Sequence, residues 1–248
     1  MIFTSHIALG QTTIVVARTP DAVVIGADSK LTFGDNKAVS ELMCKIGVSG
    51  NVVFSAAGIL ENRKSSWRVM DSAMTASRMK GTLLDKVNAF EKMIVKPLLD
   101  TVKLIKQESP QIYERKVNSK DKVLLQVAFA AMENKKPTVL IRDFQLTNIA
   151  EINVIKRGCP GSCDELGVKL YHFGQDAAIK RYIANNKSLV FNAASISPFV
   201  IHLIDLEIID KPDEVGPPID VIKIDKNGIN WVQRKNSCPA IQVRNQRK

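Results

Sequence analysis

Four places in the first sixty residues carry groups suited to chemistry, and they come in a suggestive order. A threonine pair, Thr12-Thr13, opens the first β-branched run. Asp28 closes the second, within Gly26-Ala27-Asp28-Ser29-Lys30. Lys45 follows a polar stretch, within Cys44-Lys45-Ile46. The small-residue run Ser55-Ala56-Ala57-Gly58 ends the fourth apolar segment. A hydroxyl is a weak nucleophile until a neighbouring base or charge activates it, and a carboxylate or ammonium nearby is what shifts a pKa. Each position also has an ordinary structural reading. Thr12 suits a strand, Asp28 can end one, Lys45 can be an exposed strand lysine, and Gly58 can admit a helix. Further along, Asp213 sits in Lys211-Pro212-Asp213-Glu214-Val215-Gly216, a turn composition in which Asp is expected anyway. The chain has no GxGxxG, P-loop, HExxH or GxSxG motif, which argues against a nucleotide enzyme, a zincin and an α/β-hydrolase.

The elements that must position these residues follow from periodicity. Residues 12–18 (TTIVVAR) and 22–27 (AVVIGA) read as strands joined by the turn Thr19-Pro20-Asp21, hence a hairpin. Residues 31–40 are polar and read as a loop. Residues 44–48 and 51–56 flank Ser49-Gly50 as a second hairpin. A helix is expected over residues 60–79. Leu83, Val87, Phe90, Ile94, Leu98, Val102 and Ile105 then recur at steps of three and four, one face of a second helix that Pro97 should kink or split. Strands return at residues 123–132 and 138–144 about the turn Asn134-Lys135-Lys136, at 149–155 and at 169–173. Residues 176–184 and 198–209 read as helices, the latter with Ser197 as N-cap and Pro198 in the first helical position. A hairpin at 219–224 and 229–232 closes the chain. Sheet blocks that alternate with helix pairs predict a layered α+β domain.

Composition narrows the class. The 248 residues are 45% hydrophobic and 24% charged, which excludes a disordered chain, a collagen and a disulfide-dense mini-scaffold. No apolar run approaches the roughly 18 residues of a membrane helix. The net charge is +10. Residues 61–122 hold 14 basic and 8 acidic residues, and residues 234–248 hold 5 basic and no acidic ones. The excess therefore lies in a helical block and a tail, read as solvated surface rather than a nucleic-acid or membrane partner; only 6% of residues are aromatic and no nucleic-acid motif is present. Four cysteines are present. Cys159 and Cys163 could close a tight disulfide in an oxidising compartment. A zinc site, which needs four ligands, finds no suitable partner among His6, His172 and His202.

The segment TTIVVARTPDAVVIGADSKLT, followed by CKI and SAAGI, resembles the proteasome β-subunit branch of the N-terminal nucleophile (Ntn) hydrolases. HFGQDAAIKRYI resembles that family's glycine turn into its third helix, and VGPPIDVIKIDKNGINWV its closing hairpin. The resemblance implies a four-layer αββα sandwich and a threonine peptidase or amidohydrolase. In such a protein a Thr freed by autolysis attacks an acyl carbon while its own α-amine takes the proton. By this resemblance Thr12 is the nucleophile and Asp28 the acid that orients the site. Lys45 is the cation that lowers the nucleophile's pKa, Gly58 the oxyanion donor, and Asp213 lies near the second acid. It implies no cofactor and no metal, a peptide or amide substrate, and a homo-oligomer.

The chain also departs from the family's pattern. Gln11 stands where Gly usually precedes the nucleophile, with Gly10 one place back. One extra residue separates Asp28 from Lys45. Gln175 replaces a site Ser after Gly174, and Val215 or Glu214 replaces another. These departures keep open a non-catalytic, structural or assembly protein of the same fold, and whether Thr12 or Thr13 reacts. The expected division is a propeptide or leader remnant at 1–11, an Ntn domain at 12–233 and a basic tail at 234–248. The expected compartment is the cytoplasm, or an exported one if a leader precedes the sequence.

Overall fold

The chain's first β-branched runs need cover on both faces, and the rest of the fold supplies it. The computed structural model describes residues 7–10, 12–33, 36–118, 122–148, 151–158, 168–186, 195–236 and 238. After β1 (Ile7–Gly10), β2 (Thr13–Arg18) and β3 (Ala22–Ala27) pair antiparallel with Val16 opposite Ile25, and both are buried along their whole length. Strands covered on both faces carry continuous apolar runs rather than alternation, which is the pattern of TIVVAR and AVVIGA.

Two expectations in the next segment change. The polar stretch read as a loop is a second hairpin, β4 (Lys30–Phe33) and β5 (Asn36–Leu42). β5 lies at the edge of its sheet, where a polar, charged strand discourages further pairing. β6 (Ile46–Ser49) and β7 (Val52–Asn62) form the next hairpin. β7 continues through the residues expected to start a helix, because Gly58–Asn62 pair with β1 and Glu61–Asn62 with β8 (Trp67–Arg68). The first helix, α1 (Val69–Ser77), is correspondingly shorter than expected.

α2 (Leu83–Glu108) buries the seven residues read from its spacing. Thr82 caps it reciprocally with Asp85, satisfying two otherwise free donors. Pro97 does not split it. Ile94 and Leu98, on either side, are both fully buried, so the apolar stripe holds one continuous element. α3 (Pro110–Ile112) and a π-helical turn (Tyr113–Val117) complete the block.

β9 (Val123–Glu133) and β10 (Lys136–Asn148) follow, with Asn134 and Lys135 at φ 50° and 64° in the tight turn between them. Then come β11 (Glu151–Gly158), β12 (Lys169–Gly174), α4 (Ala177–Asn185), α5 (Ile196–Asp210), β13 (Asp220–Asp225) and β14 (Gly228–Gln233). α5 starts two residues before the expected Pro198, with Ser195 rather than Ser197 at its N-cap and no side-chain cap. Cys159 and Cys163 lie outside the described residues.

The described strands form two sheets, antiparallel throughout. The larger runs β11-β10-β9-β7-β1-β4-β5, with β6 and β8 also on β7; the smaller runs β12-β2-β3-β13-β14. Three apolar clusters hold them. One lies between the sheets, where Ile14, Val16, Val23 and Ile25 meet Val53, Ala128, Val139 and Ile141. A second packs α1 and α2 on the larger sheet; Phe90 stands edge-on to Phe129 at 5.0 Å, a pair contributing about 0.5–1.5 kcal/mol beyond its buried area. In the third, Val200, Leu203 and Ile204 of α5 cover Val15, Ala17 and Val24 on the smaller sheet. The protein is thus mixed α/β on two antiparallel sheets. Among the described residues, no helix is long and apolar enough to cross a membrane.

Candidate active site

The loop that leaves β3 and the residue that enters β6 meet in a fully buried ion pair. Lys45 Nζ lies 2.7 Å from Asp28 Oδ1, and neither side chain is exposed. Asp28 is saturated with donors. Thr13 N (2.9 Å) shares Oδ1 with Lys45, while Lys30 N (3.0 Å) and Gly216 N (3.2 Å) donate to Oδ2. Lys45 also donates to Lys30 O, and Ser55 Oγ fixes the Lys45 carbonyl at 2.7 Å. Burial pulls the Lys45 pKa below its ordinary value; the attraction and hydrogen bond of Asp28 oppose that pull without cancelling it.

The threonine pair lies beside this ion pair and is distinguished by it. Thr13 donates its amide to Asp28 and its hydroxyl to Gln175 O at 2.8 Å. Thr12 is equally buried, but its Oγ1 has no hydrogen-bond partner among the described residues. Its carbonyl accepts from Gln175 N at 2.7 Å. The turn Gly174-Gln175 therefore grips Thr12 and Thr13 by backbone. Gly174 has φ +82°, and a Cβ there would sit 1.7 Å from Thr12 O, so only glycine permits the approach. Gln126 Oε1 accepts from Gly174 N at 3.3 Å, and its amide is oriented by Asp143 at 3.0 Å.

Gly58 lies across from this turn on β7, opposite Leu125 of β9 and Gly10 of β1. Its φ is +114°, and a Cβ would come 2.2 Å from Leu124 O. The strand upstream of Thr12 fills the space between β7 and β4, with Leu9 opposite Ile59 and Ala8 opposite both Glu61 and Phe33.

Asp28 and Lys45 are thus brought together beside Thr12 and Thr13, while Gly58 stands on β7 of the larger sheet. Asp213 is not bonded to them; it is exposed on its turn, and Gly216 is the residue of that turn that reaches Asp28. The sequence reading missed the partners of the pair. Lys235, within the stretch read as a basic tail, is buried. Its Nζ lies 2.6 Å from Asp220 Oδ2, 2.6 Å from Ser29 Oγ and 2.7 Å from Met43 O. Cys44, next to Lys45, is disulfide-bonded to Cys238. Only the adjacency of Cys44 to Lys45 was visible beforehand. Among the described residues no group of three His, Cys, Asp or Glu side chains could hold a metal.

Comparison with known proteins finds a structure of similar fold. The structure of Anbu from Hyphomicrobium sp. strain MC1 superposes with a TM-score of 0.55 over 90% of this chain and 86% of that one, at 13% identity. The fold is Anbu-like. At 13% identity the likeness is one of fold alone. The closer assignment to the proteasome β-subunit branch does not stand. No protein-family model and no curated protein matches the chain, and the likeness found is to Anbu.

Proposed function

We propose that this protein is an amide-bond hydrolase whose nucleophile is the hydroxyl of Thr12, freed by cleavage of Gln11–Thr12. The observation that carries the reading is the buried Asp28–Lys45 pair bonded to Thr13 N, next to a buried Thr12 hydroxyl with no partner among the described residues. An ammonium in a water-poor site favours the alkoxide that attack generates. Thr12 fits the role better than Thr13, whose hydroxyl is held by Gln175 O. In each turnover Thr12 Oγ1 bonds to the acyl carbon and the C–N bond breaks. The hydroxyl proton passes by way of the α-amine to the leaving amine, and water then hydrolyses the ester. The N–H of Gly58 is suited to the oxyanion. The slot that β1 fills suggests an extended peptide as substrate, taken up as an added strand.

The αββα order is the natural reading of helices, sheet, sheet and helices joined by the three clusters described. The Cys44–Cys238 disulfide favours the exported alternative over a reducing cytoplasm.

The competing reading, a non-catalytic protein on this fold, is favoured by one observation. Lys45 Nζ is directed to Asp28 and Lys30 O, and no bond joins it to Thr12 Oγ1. Intact mass after incubation, with Thr12→Ala as control, separates the two. Cleavage before Thr12 that the substitution abolishes supports the hydrolase; an uncut chain in both supports the alternative.

A further inference from the structure

The segment after β14 folds back onto the candidate site and touches both of its charged residues through their neighbours. Lys235 N donates to Asp220 Oδ1 at 2.8 Å, fixing the backbone as it leaves the sheet. The Lys235 side chain then passes inward, 4% exposed, to an Asp220 carboxylate that is 1% exposed. Its other two partners matter more. Ser29 is the residue after Asp28, and Met43 lies two before Lys45. Ser29 and Met43 are themselves joined, Met43 N to Ser29 O at 2.8 Å, and Ser29 N is held by Gly216 O at 3.1 Å. One ammonium thus ties together the loop that presents Asp28 and the loop that presents Lys45.

The disulfide repeats that tie covalently. Cys44 stands between Met43 and Lys45, and its bond to Cys238 closes a sequence separation of 194 residues. Cys238 lies three positions after Lys235. Removing a buried ammonium from its carboxylate is costly, and Cys238 N also bonds back to Lys235 O at 3.3 Å. The bond to Cys44 adds a covalent tie to these contacts.

We propose that Lys235 is a positioning residue for the Asp28–Lys45 pair and that the Cys44–Cys238 disulfide is the clasp that keeps it in place, so that the site is fully assembled only in the oxidised protein. Opening the clasp is a two-electron step. A dithiol reductant gives two electrons and two protons, the S–S bond becomes two thiols, and the reductant becomes a disulfide. The bond to Cys44 then no longer opposes departure of the segment, and with Lys235 withdrawn the Ser29–Met43 bridge loses its common donor. The consequence for catalysis rests on the proposed function; the consequence for the two loops does not.

The charged groups around Lys45 are Asp28, Asp220 and Lys235. Lys235 is the like charge among them, so its removal raises the proton affinity of Lys45. Water entering the vacated space acts in the same direction. Lys235→Arg restores the like charge, so its pH profile separates this electrostatic effect from a general loosening of the fold.

The test uses the full-length protein as wild type, Lys235→Met, Lys235→Arg and Cys238→Ser. Two readouts are taken: the rate of Gln11–Thr12 cleavage against pH, and amide hydrogen exchange at Ser29 and Met43 in oxidised and dithiol-reduced protein. The expected result is at least a tenfold slower cleavage in Lys235→Met, its alkaline limb moved to higher pH, with partial recovery in Lys235→Arg. Reduction and Cys238→Ser both speed exchange at Ser29 and Met43, and reoxidation of the wild type reverses the effect. Unchanged exchange on reduction overturns the clasp, whether or not the chain cleaves itself. If wild type cleaves and Lys235→Met matches it in rate and pH profile, the positioning role is overturned. If wild type does not cleave but exchange responds as expected, the hydrolase reading fails and the clasp stands. Should Lys235→Met not fold, Cys238→Ser and reduced wild type carry the same rate, pH and exchange comparisons with Lys235 intact.

Discussion

Replacing Asp28 by Asn removes a charge and leaves the shape unchanged, so its effect isolates the electrostatics of the site. The Asp28 carboxylate receives four donors, two on each oxygen. An Asn amide must turn its NH2 toward one of the two pairs. One orientation sets it against Thr13 N and the Lys45 ammonium, the other against Lys30 N and Gly216 N, so donors face donors either way. The Lys45 ammonium, fully buried, loses its counter-charge. Breaking one side of a buried pair costs about 3–5 kcal/mol. At about 2–4 °C per kcal/mol for a chain of this size, Tm should fall by about 6–20 °C. Adding Lys45→Met removes the stranded ammonium, so the double variant should melt above Asp28→Asn alone. Circular dichroism melts of wild type, both single variants and the double variant provide the assay. An Asp28→Asn Tm within 2 °C of wild type, or a double variant less stable than Asp28→Asn, would refute the account of a mutually dependent pair.

Three further outcomes are expected. Gly174→Ala places a Cβ against the Thr12 carbonyl at a φ of +82° and should both lower Tm and abolish cleavage. Its control is Gly50→Ala, with open space around it at φ +60°, which should cost only about 1–2 kcal/mol, as urea melts can compare. Thr13→Val loses the hydroxyl bond to Gln175 O. It should cost about 1 kcal/mol and slow cleavage without the complete loss expected of Thr12→Ala, measured by timed mass spectra. The third concerns pH. The folded chain binds the Lys45 proton more weakly than the unfolded chain, because its pKa is lowered from 10.5. Stability from this group is therefore lowest below the folded value and rises with pH through the window up to 10.5. Activity that needs the ammonium falls over the same window. A cleavage rate that stays flat to pH 10.5 contradicts a role for charged Lys45.

Much of the site was legible because it depends on local order. The hairpin of β2 and β3 brings the ends that carry Thr12 and Asp28 together, and the turn signal Thr19-Pro20-Asp21 announces that hairpin. The helical stripe from Leu83 to Ile105 is readable for the same reason, since each step lies within one element. The misreadings have a common physical source in long-range pairing. β4 and β5 read as a loop although β1 completes their sheet, and residues 60–62 read as helical although β1 and β8 hold Glu61 and Asn62 extended. The composition reads Lys235 as part of a solvated basic tail. That inference fails at Lys235, whose partners Ser29 and Asp220 are 206 and 15 residues away. No local pattern marks such a contact. The Cys44–Cys238 bond spans 194 residues and leaves no local pattern either, whereas the spacing of Cys159 and Cys163 suggests a pair.

Cleavage between Gln11 and Thr12 is the event on which the hydrolase account turns, since an amide nitrogen at Thr12 has no useful basicity. The most direct measurement is the N-terminus of the oxidised protein from its native source, read by intact mass and N-terminal sequencing, with Thr12→Ala expressed beside it. The account predicts a mature chain that begins at Thr12 and a Thr12→Ala chain that keeps its upstream residues. A native chain that retains residues ahead of Thr12 would contradict it.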